Sequence, residues 1–413
     1  FLAFLVCMAV LLASFTGCYS AQDGPSTLSS SQTMQSNSGS AAENSVEIRT
    51  YGIPEENVRA NIIYVPSPST GGFWTCAVFN AKTIQAYDPA TRTTYFPCYQ
   101  AGCKHTDASC TANFGGVISG FAEYRGNFYA MIYYNDETAS AFVTRPVSGG
   151  PLKVLASWEP ENENEECRCG FYGLSFGKAY LTVSKETYAM KDGQTESVKE
   201  EYSKCSLDLE TGELVEYMAD EDGYLPYMHG VWGDVAVFQD WYADRPDGTP
   251  VKRDGSEDYN FRLYSKNLRT GEEKTIVDVT ENFIWTADPH VSWGQYTVYQ
   301  VDRSVYVYDM ETQTSKKLFT HEPGWDFYNY MIQDGHVMVI GGTEDTCRAW
   351  AVDIADGSVI ELDTRGGNVV AFGANYECNG YFAGLKRNSS GDFEQCYISK
   401  EDFYRSNYDG AFR

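Results

Sequence analysis

The chain is short of positive charge: 31 Lys and Arg stand against 57 Asp and Glu, a formal net charge of -26 over 413 residues. A field of that sign repels phosphate backbones and anionic headgroups, so nucleic acid is excluded as a partner class. Histidine is scarce as well, with five in the whole chain, and they are scattered rather than grouped. No G-x-S-x-G elbow, Walker loop or HExxH helix occurs, which removes the most recognisable hydrolase, nucleotidase and metalloprotease signatures. Long apolar runs are missing too. The run Phe1–Ala13 falls short of the roughly 20 residues a spanning helix needs. No linker-like stretch breaks the sequence after residue 46, which argues against two separate domains.

What stands at the start is informative. Phe1–Ala13 fits the apolar core of a signal peptide. Phe15-Thr16-Gly17-Cys18 resembles a bacterial lipobox, with small residues before a Cys whose thiol takes a diacylglycerol; Phe15 departs from the usual Leu. Residues 1–18 are therefore read as a lipoprotein signal with Cys18 as the lipidation site. Residues 19–45 are rich in Ser, Gly, Gln and Asn, cannot bury a core, and read as a disordered tether. Residues 46–413 form the folded domain. The expected location is the extracellular face of a membrane, held by the lipid anchor.

Aromatic residues make up 15% of the chain, with 31 Tyr, a composition that favours strands. One short sentence then recurs: an alternating strand, an Asp or Asn, a Thr- or Gly-bearing turn, and a second strand. VYVYDMETQTSKKLF, from Val305 to Phe319, is its clearest copy. Other copies turn at Asp88, Pro146, Asp208, Asn267, Asp353 and Lys400. They are spaced by roughly 40 to 60 residues, room for four short strands each, and upstream of each lies a Gly- or Asn-centred hairpin. This periodicity predicts an all-β fold, a β-propeller with four-stranded antiparallel blades. Seven blades are favoured, with six the alternative. The last unit shows no fourth strand of its own, so Val46–Tyr51 is expected to supply it and close the ring. Long insertions at 187–202 and 242–260 are expected between second and third strands, on one face of the ring.

The most specific local pattern is Cys98-x4-Cys103-x-His105-x4-Cys110. Three thiols and one imidazole match a complete Cys3His set for a structural zinc ion. A disulfide between two of these Cys is the competing reading in an exported protein. Cys378 and Cys396, on neighbouring strands of the last unit, are a further candidate bridge, and Cys167 or Cys169 is a candidate partner for Cys205. The segment TTYFPCYQAGCKHTDASCTANF, carrying Cys98, Cys103, His105 and Cys110, resembles one in surface lipoproteins of gut Firmicutes, which share the lipobox, the Ser-rich tether and the repeated strand pairs. Those proteins are grouped with TolB-like propellers. The resemblance implies an anchored propeller, leaves six blades open, and implies no activity.

For function the sequence offers aromatic side chains near strand starts and insertions. Trp232, Trp241, Tyr242 and Trp293, with His229 and His290, are the candidate ligand-binding set, and Trp74, Tyr227, Trp285 and Trp325 accompany them. Flat rings beside acids and amides suit a glycan, a cell-wall fragment, a peptide or a surface protein as ligand. The favoured reading is a monomeric binding protein that engages its ligand on one face. The alternatives are a hydrolase or lyase acting on polysaccharide or peptide at the central channel, with His229, His290 and Asp240 as candidate groups, and a scaffold in an envelope complex. His336, in an Asp-Gly-His turn, is expected to be exposed.

Overall fold

At Asp88, Asp208, Asn267, Asp309 and Asp353 the same turn chemistry closes an outer hairpin. In the first four, the side-chain Oδ1 accepts the backbone N–H groups two and three residues on; Asp353 takes that of Ala355. The fifth residue of each turn, Arg92, Gly212, Gly271, Gln313 or Gly357, then sits at positive φ between 54° and 78°. A side chain that replaces missing backbone partners makes the turn local, and so legible in the sequence.

The structure is a computed structural model. It describes residues 48–412 except 62–64, 77–81, 107–108, 135–137, 192, 221–223, 246, 250–259, 281–291, 323–325, 344–345, 364–375, 379 and 388–392. The expected signal peptide, Cys18 and the tether lie outside the described residues, as do Trp285, His290 and Trp325.

The described strands form seven antiparallel sheets in chain order. A short strand β1 (Asn57–Arg59) comes first. Sheet I holds β2 (Val65–Pro66), β3 (Phe73–Cys76), β4 (Ile84–Asp88) and β5 (Thr93–Tyr95). Sheet II holds β6 (Val117–Tyr124), β7 (Asn127–Tyr134), β8 (Ala139–Pro146) and β9 (Lys153–Trp158). In sheet III come β10 (Glu165–Ser175), β11 (Lys178–Lys191), β12 (Gln194–Asp208) and β13 (Leu214–Asp220). Sheet IV follows with β14 (Tyr227–Trp232), β15 (Val235–Asp240), β16 (Phe261–Asn267) and β17 (Glu273–Thr280). Sheet V is β18 (Ser292–Trp293), β19 (Tyr296–Val301), β20 (Ser304–Asp309) and β21 (Thr314–Thr320). Sheet VI is β22 (Asp326–Gln333), β23 (His336–Thr343), β24 (Thr346–Asp353) and β25 (Val359–Leu362). Sheet VII has three strands, β26 (Tyr376–Cys378), β27 (Tyr381–Arg387) and β28 (Phe393–Ser399), followed by a five-residue helix α1 (Lys400–Tyr404). No helix among the described residues is long and apolar enough to cross a membrane.

Sheets with two apolar faces must be covered on both, and the ring does this. One buried cluster fills each junction between neighbours: I–II, II–III, III–IV, IV–V, V–VI and VI–VII. A further cluster of Phe73 with Cys378, Ala383 and Tyr397 joins sheet VII back to sheet I. The fold is a seven-bladed β-propeller.

Ring closure differs from the expected pairing of Val46–Tyr51 with the last blade. Residues 48–51 are not strand, and the free edge of β28 is met instead by the chain's own end, where Tyr397 and Phe412 exchange backbone hydrogen bonds of 2.7 and 2.8 Å. The N-terminal segment passes over the ring's tight turns, with Pro54 against Gly294. It turns inward, so that β1 pairs with β10, the innermost strand of sheet III.

Candidate metal centre and the plugged channel

Residues 96–115 leave sheet I and wedge against sheet II. Ile84 N–H bonds Ala112 O at 3.0 Å and Phe114 N–H bonds Lys82 O at 2.8 Å, which buries the Phe114 ring completely. Gln100 Nε2 to Ser109 O (2.8 Å) and Thr111 Oγ1 to Pro97 O (2.8 Å) tie the two ends of the loop together. Positive φ at Gly102 and His105 turns the chain between them. The result brings the ligand atoms of Cys98, Cys103, His105 and Cys110 within 4.8 Å of one another. Tetrahedral ligands of a thiolate-bound ion lie roughly 3.8 Å apart, and His105 Nδ1 is 3.2 Å from Cys110 Sγ. Backbone N–H groups of His105 and Ala112 point at Cys103 Sγ (3.4 Å) and Cys110 Sγ (3.3 Å), as suits sulfurs carrying negative charge. Phe96 stacks on the His105 ring at 4.1 Å and fixes its plane.

The Gln100 N–H and the neighbouring thiols hold Cys98 down to about 6, while burial pushes Cys110 up to about 11. Thiols crowded this closely ionise in sequence, and a cation would complete the set. All nine Cys whose side chains are described are free thiols. Cys378 and Cys396 do not bridge: they pack into different junctions, VII–I and VI–VII, on opposite faces of sheet VII. Cys167, Cys169 and Cys205 are separate buried thiols in sheet III.

The central channel holds the N-terminal segment. Ile53 enters the cluster between sheets I and VII. Glu56 takes the Tyr124 hydroxyl (2.7 Å) and Arg125 (2.8 Å) of sheet II, and Asn61 exchanges backbone bonds with Phe121 (3.0 and 2.9 Å). Asn57 Nδ2 reaches Val231 O in sheet IV and Gly294 O beside β18 (3.1 Å). Tyr51 meets Asp334 and Asp353 of sheet VI at 2.6 and 2.8 Å, and its carbonyl takes Lys400 Nζ beyond sheet VII at 3.0 Å. With β1 on β10, the segment touches all seven blades.

Tyr51, sheets V, VI and VII and helix α1 meet at a buried polar cluster. Lys400 Nζ lies 2.6 Å from Asp334 and 2.9 Å from Glu377. Tyr404 donates to Asp334 at 2.9 Å and lies 3.1 Å from His336 Nδ1, and Trp293 Nε1 donates to Glu377. Burial pushes both carboxyl groups up despite the nearby ammonium, and the two acids hold Lys400 above its usual range against the opposing effect of burial. His336 is 1% exposed, not exposed as expected, because the Asp334-Gly335 turn lies beneath Tyr51. None of this network was visible in the sequence, where Lys400, Asp334 and Glu377 pass for surface charges.

The aromatic set is divided. Inner strands end at the tight turns on one face, and both insertions emerge at the other. Trp241 and Tyr242 lie at the insertion face, where Tyr242 packs edge-on against Tyr224 at 4.7 Å. The 187–202 insertion continues β11 and β12 as an extended hairpin on the same face. Trp232 and Trp293 lie at the opposite face: Trp232 packs on Phe176, and Trp293 on Tyr51. Trp74 is buried and donates to Glu123. His229 sits in a bulge of β14, buried, with Nε2 2.7 Å from Gln239. Burial, with a smaller push from Arg59, drives its pKa down to about 4. Asp240 is engaged by the Tyr224 hydroxyl and Tyr242 N–H, each at 3.0 Å. His229 and Asp240 thus bond to different partners, and His290, the third candidate, lies outside the described residues.

No protein-family model and no curated protein matches the chain. Solved structures do. The β-propeller domain of the trilobed protease from Pyrococcus furiosus is 12% identical, with a TM-score of 0.45, and the match covers 82% of this chain and 95% of that one. The Pyrococcus horikoshii acylaminoacyl peptidase matches at 13% identity and TM-score 0.44, covering 84% of this chain and 53% of that one, so this chain spans about half its length. TolB from Acinetobacter baumannii matches at 14% identity and TM-score 0.33, covering 80% and 74%.

Proposed function

We propose that the chain is a surface-anchored binding protein whose Cys/His loop holds a structural zinc ion. The observation that carries the binding reading is the occupied channel. Residues 57–61 pair with the inner strands β10 and β6, and residues 51–56 meet the tight turns at one end of the ring, so a channel enzyme would have to work beside the protein's own chain. The ligand, a glycan, cell-wall fragment, peptide or surface protein, meets the insertion face around Trp241, Tyr242 and the β11–β12 hairpin. The segment that follows the tether enters the ring from the tight-turn face, opposite the insertion face. In the zinc site all four positions are filled by protein, which supports a structural rather than a catalytic ion.

The test is a binding screen of the intact chain against glycans, peptidoglycan fragments and peptides. Binding that Trp241→Ala and Tyr242→Ala abolish supports the reading; turnover of a polysaccharide or peptide without such dependence overturns it. Metal analysis of protein purified under reducing conditions is expected to give about one zinc per chain. Less than about 0.2 equivalents overturns the zinc assignment.

A further inference from the structure

A cavity of about 530 Å³ opens between the Cys/His loop and the outer turn of sheet II, lined among others by Gln100, Thr111, Asn113, Phe114, Arg145 and Leu152. Its size falls within the range of small-ligand sites. Arg145 is the unusual member. It is 4% exposed, yet no carboxylate pairs with it among the described residues. Its Nη1 is spent on three loop carbonyls, Cys110 (3.1 Å), Asn113 (3.2 Å) and Thr111, and Nε has no acceptor. Arg145 lines the cavity. A buried guanidinium needs compensation, and here it comes from the loop carbonyls, the Phe114 ring 5.3 Å from Cζ and the neighbouring Cys110 thiol rather than from a carboxylate.

The rim supplies a second feature. Tyr99 is 71% exposed, and its ring lies against the Gly149-Gly150 turn, where an added Cβ at Gly149 would come within 3.2 Å of it. Gly150 lines the cavity. An exposed flat ring, a side-chain amide on Gln100 and a buried guanidinium match the C–H face, hydroxyls and anionic group of an acidic sugar. We propose that this cavity binds an acidic saccharide, with Arg145 facing its anionic group and Tyr99 stacking on its ring. The site lies in the groove between sheets I and II, apart from the insertion face, and does not depend on what that face binds.

The experiment titrates the intact, metal-loaded chain with glucuronic acid, with glucose as the neutral control and a dipeptide with a free carboxyl terminus as the competing carboxylate. Glucuronate is expected to bind roughly tenfold more tightly than glucose, a preference that weakens with salt. Tyr99→Ala, at an exposed position that leaves folding and metal content unchanged, should weaken glucuronate several-fold. Arg145→Lys should reduce the preference over glucose, since a point charge replaces a planar donor. Equal binding of glucose and glucuronate, or of the dipeptide and glucuronate, overturns the proposal. So does an Arg145→Lys variant that loses metal while the parent binds no saccharide, which would leave Arg145 as an offset to the thiolate charge alone.

Discussion

At the scale of single residues, buried titratable groups govern how the molecule should respond to pH and substitution. His229 is neutral at pH 7 because burial holds its pKa near about 4, against about 6.5 in an unfolded chain. Between those values the unfolded chain binds a proton that the folded one does not. Stability is therefore fully present above about pH 6.5 and is lost as pH falls through the window toward 4. His336 is shifted in the same direction by burial. The urea midpoint is expected to fall on acidification from pH 7 to 4.5. His229→Gln should show a shallower fall than the parent at each pH, a comparison that separates this effect from loss of metal. Identical pH profiles would refute it. Lys400 makes a larger claim. Lys400→Met leaves Asp334 and Glu377 buried without their counter-charge, and breaking such a pair costs about 3–5 kcal/mol. Removing Arg125 from its exposed pair with Glu56 should cost about 1 kcal/mol or less. Urea unfolding of the two variants side by side distinguishes a buried tie from an ornamental one.

Among the elements, outer turns and the channel segment lie at opposite ends of legibility. Asp208 accepts the N–H groups of Glu210 and Thr211, bonds that hold its pKa below the usual carboxylate range. Asp208→Ala should cost about 1 kcal/mol, measurable as a lowered denaturation midpoint with unchanged fold. Because every partner of such a turn lies within five residues, the sequence alone carried the four-strand unit and favoured seven blades over six, although Lys400, read as the last turn, begins a helix. The Cys/His loop was legible for the same reason: its ligands fall within thirteen residues, and only their convergence needed the structure. The channel segment was not legible, since Tyr51 finds Asp334 and Lys400 at separations of 283 and 349 residues. Nor could alternation say at which end of a strand a Trp sits, so Trp232 and Trp293 were grouped with Trp241 although they serve the opposite face. Gly335 records the docking of the segment directly. Its φ is 65°, and an added Cβ would come within 2.4 Å of the Tyr51 ring. Gly335→Ala is expected to dislodge Tyr51 and expose residues 48–56 to limited proteolysis, while Gly357→Ala, with open space around it, should not. Equal resistance of both variants would sink this account of the plug.

For the whole molecule, the question is what holds a ring shut when, among the described residues, no strand crosses from one end of the chain to the other. Six junctions join blades that are neighbours in sequence; the seventh, between sheets VII and I, joins blades more than 300 residues apart. Its contacts are side-chain contacts: Tyr397 stacks on Tyr87 at 4.0 Å and packs against Phe73 at 5.7 Å, and Cys378 Sγ reaches Gly71 O at 3.4 Å. The channel segment spans the same seam through Ile53 and the Lys400 cluster. Closing so long a loop costs entropy that grows only slowly with its length, so a modest apolar cluster with a buried ion pair is sufficient. That economy has a consequence for where the ring should open first. Local openings are drawn from the regions with the least apolar burial, which places the weakest point at this seam. Tyr397→Ala should cost about 3–5 kcal/mol, as other large-to-small core changes do, and should lower hydrogen-exchange protection in sheets I and VII before sheets III to V. Phe238→Ala, in the III–IV junction, provides the control, with a similar loss of stability but no selective loss at the seam. If the two variants lose protection in the same pattern, the ring opens as one cooperative unit and the seam has no special weakness.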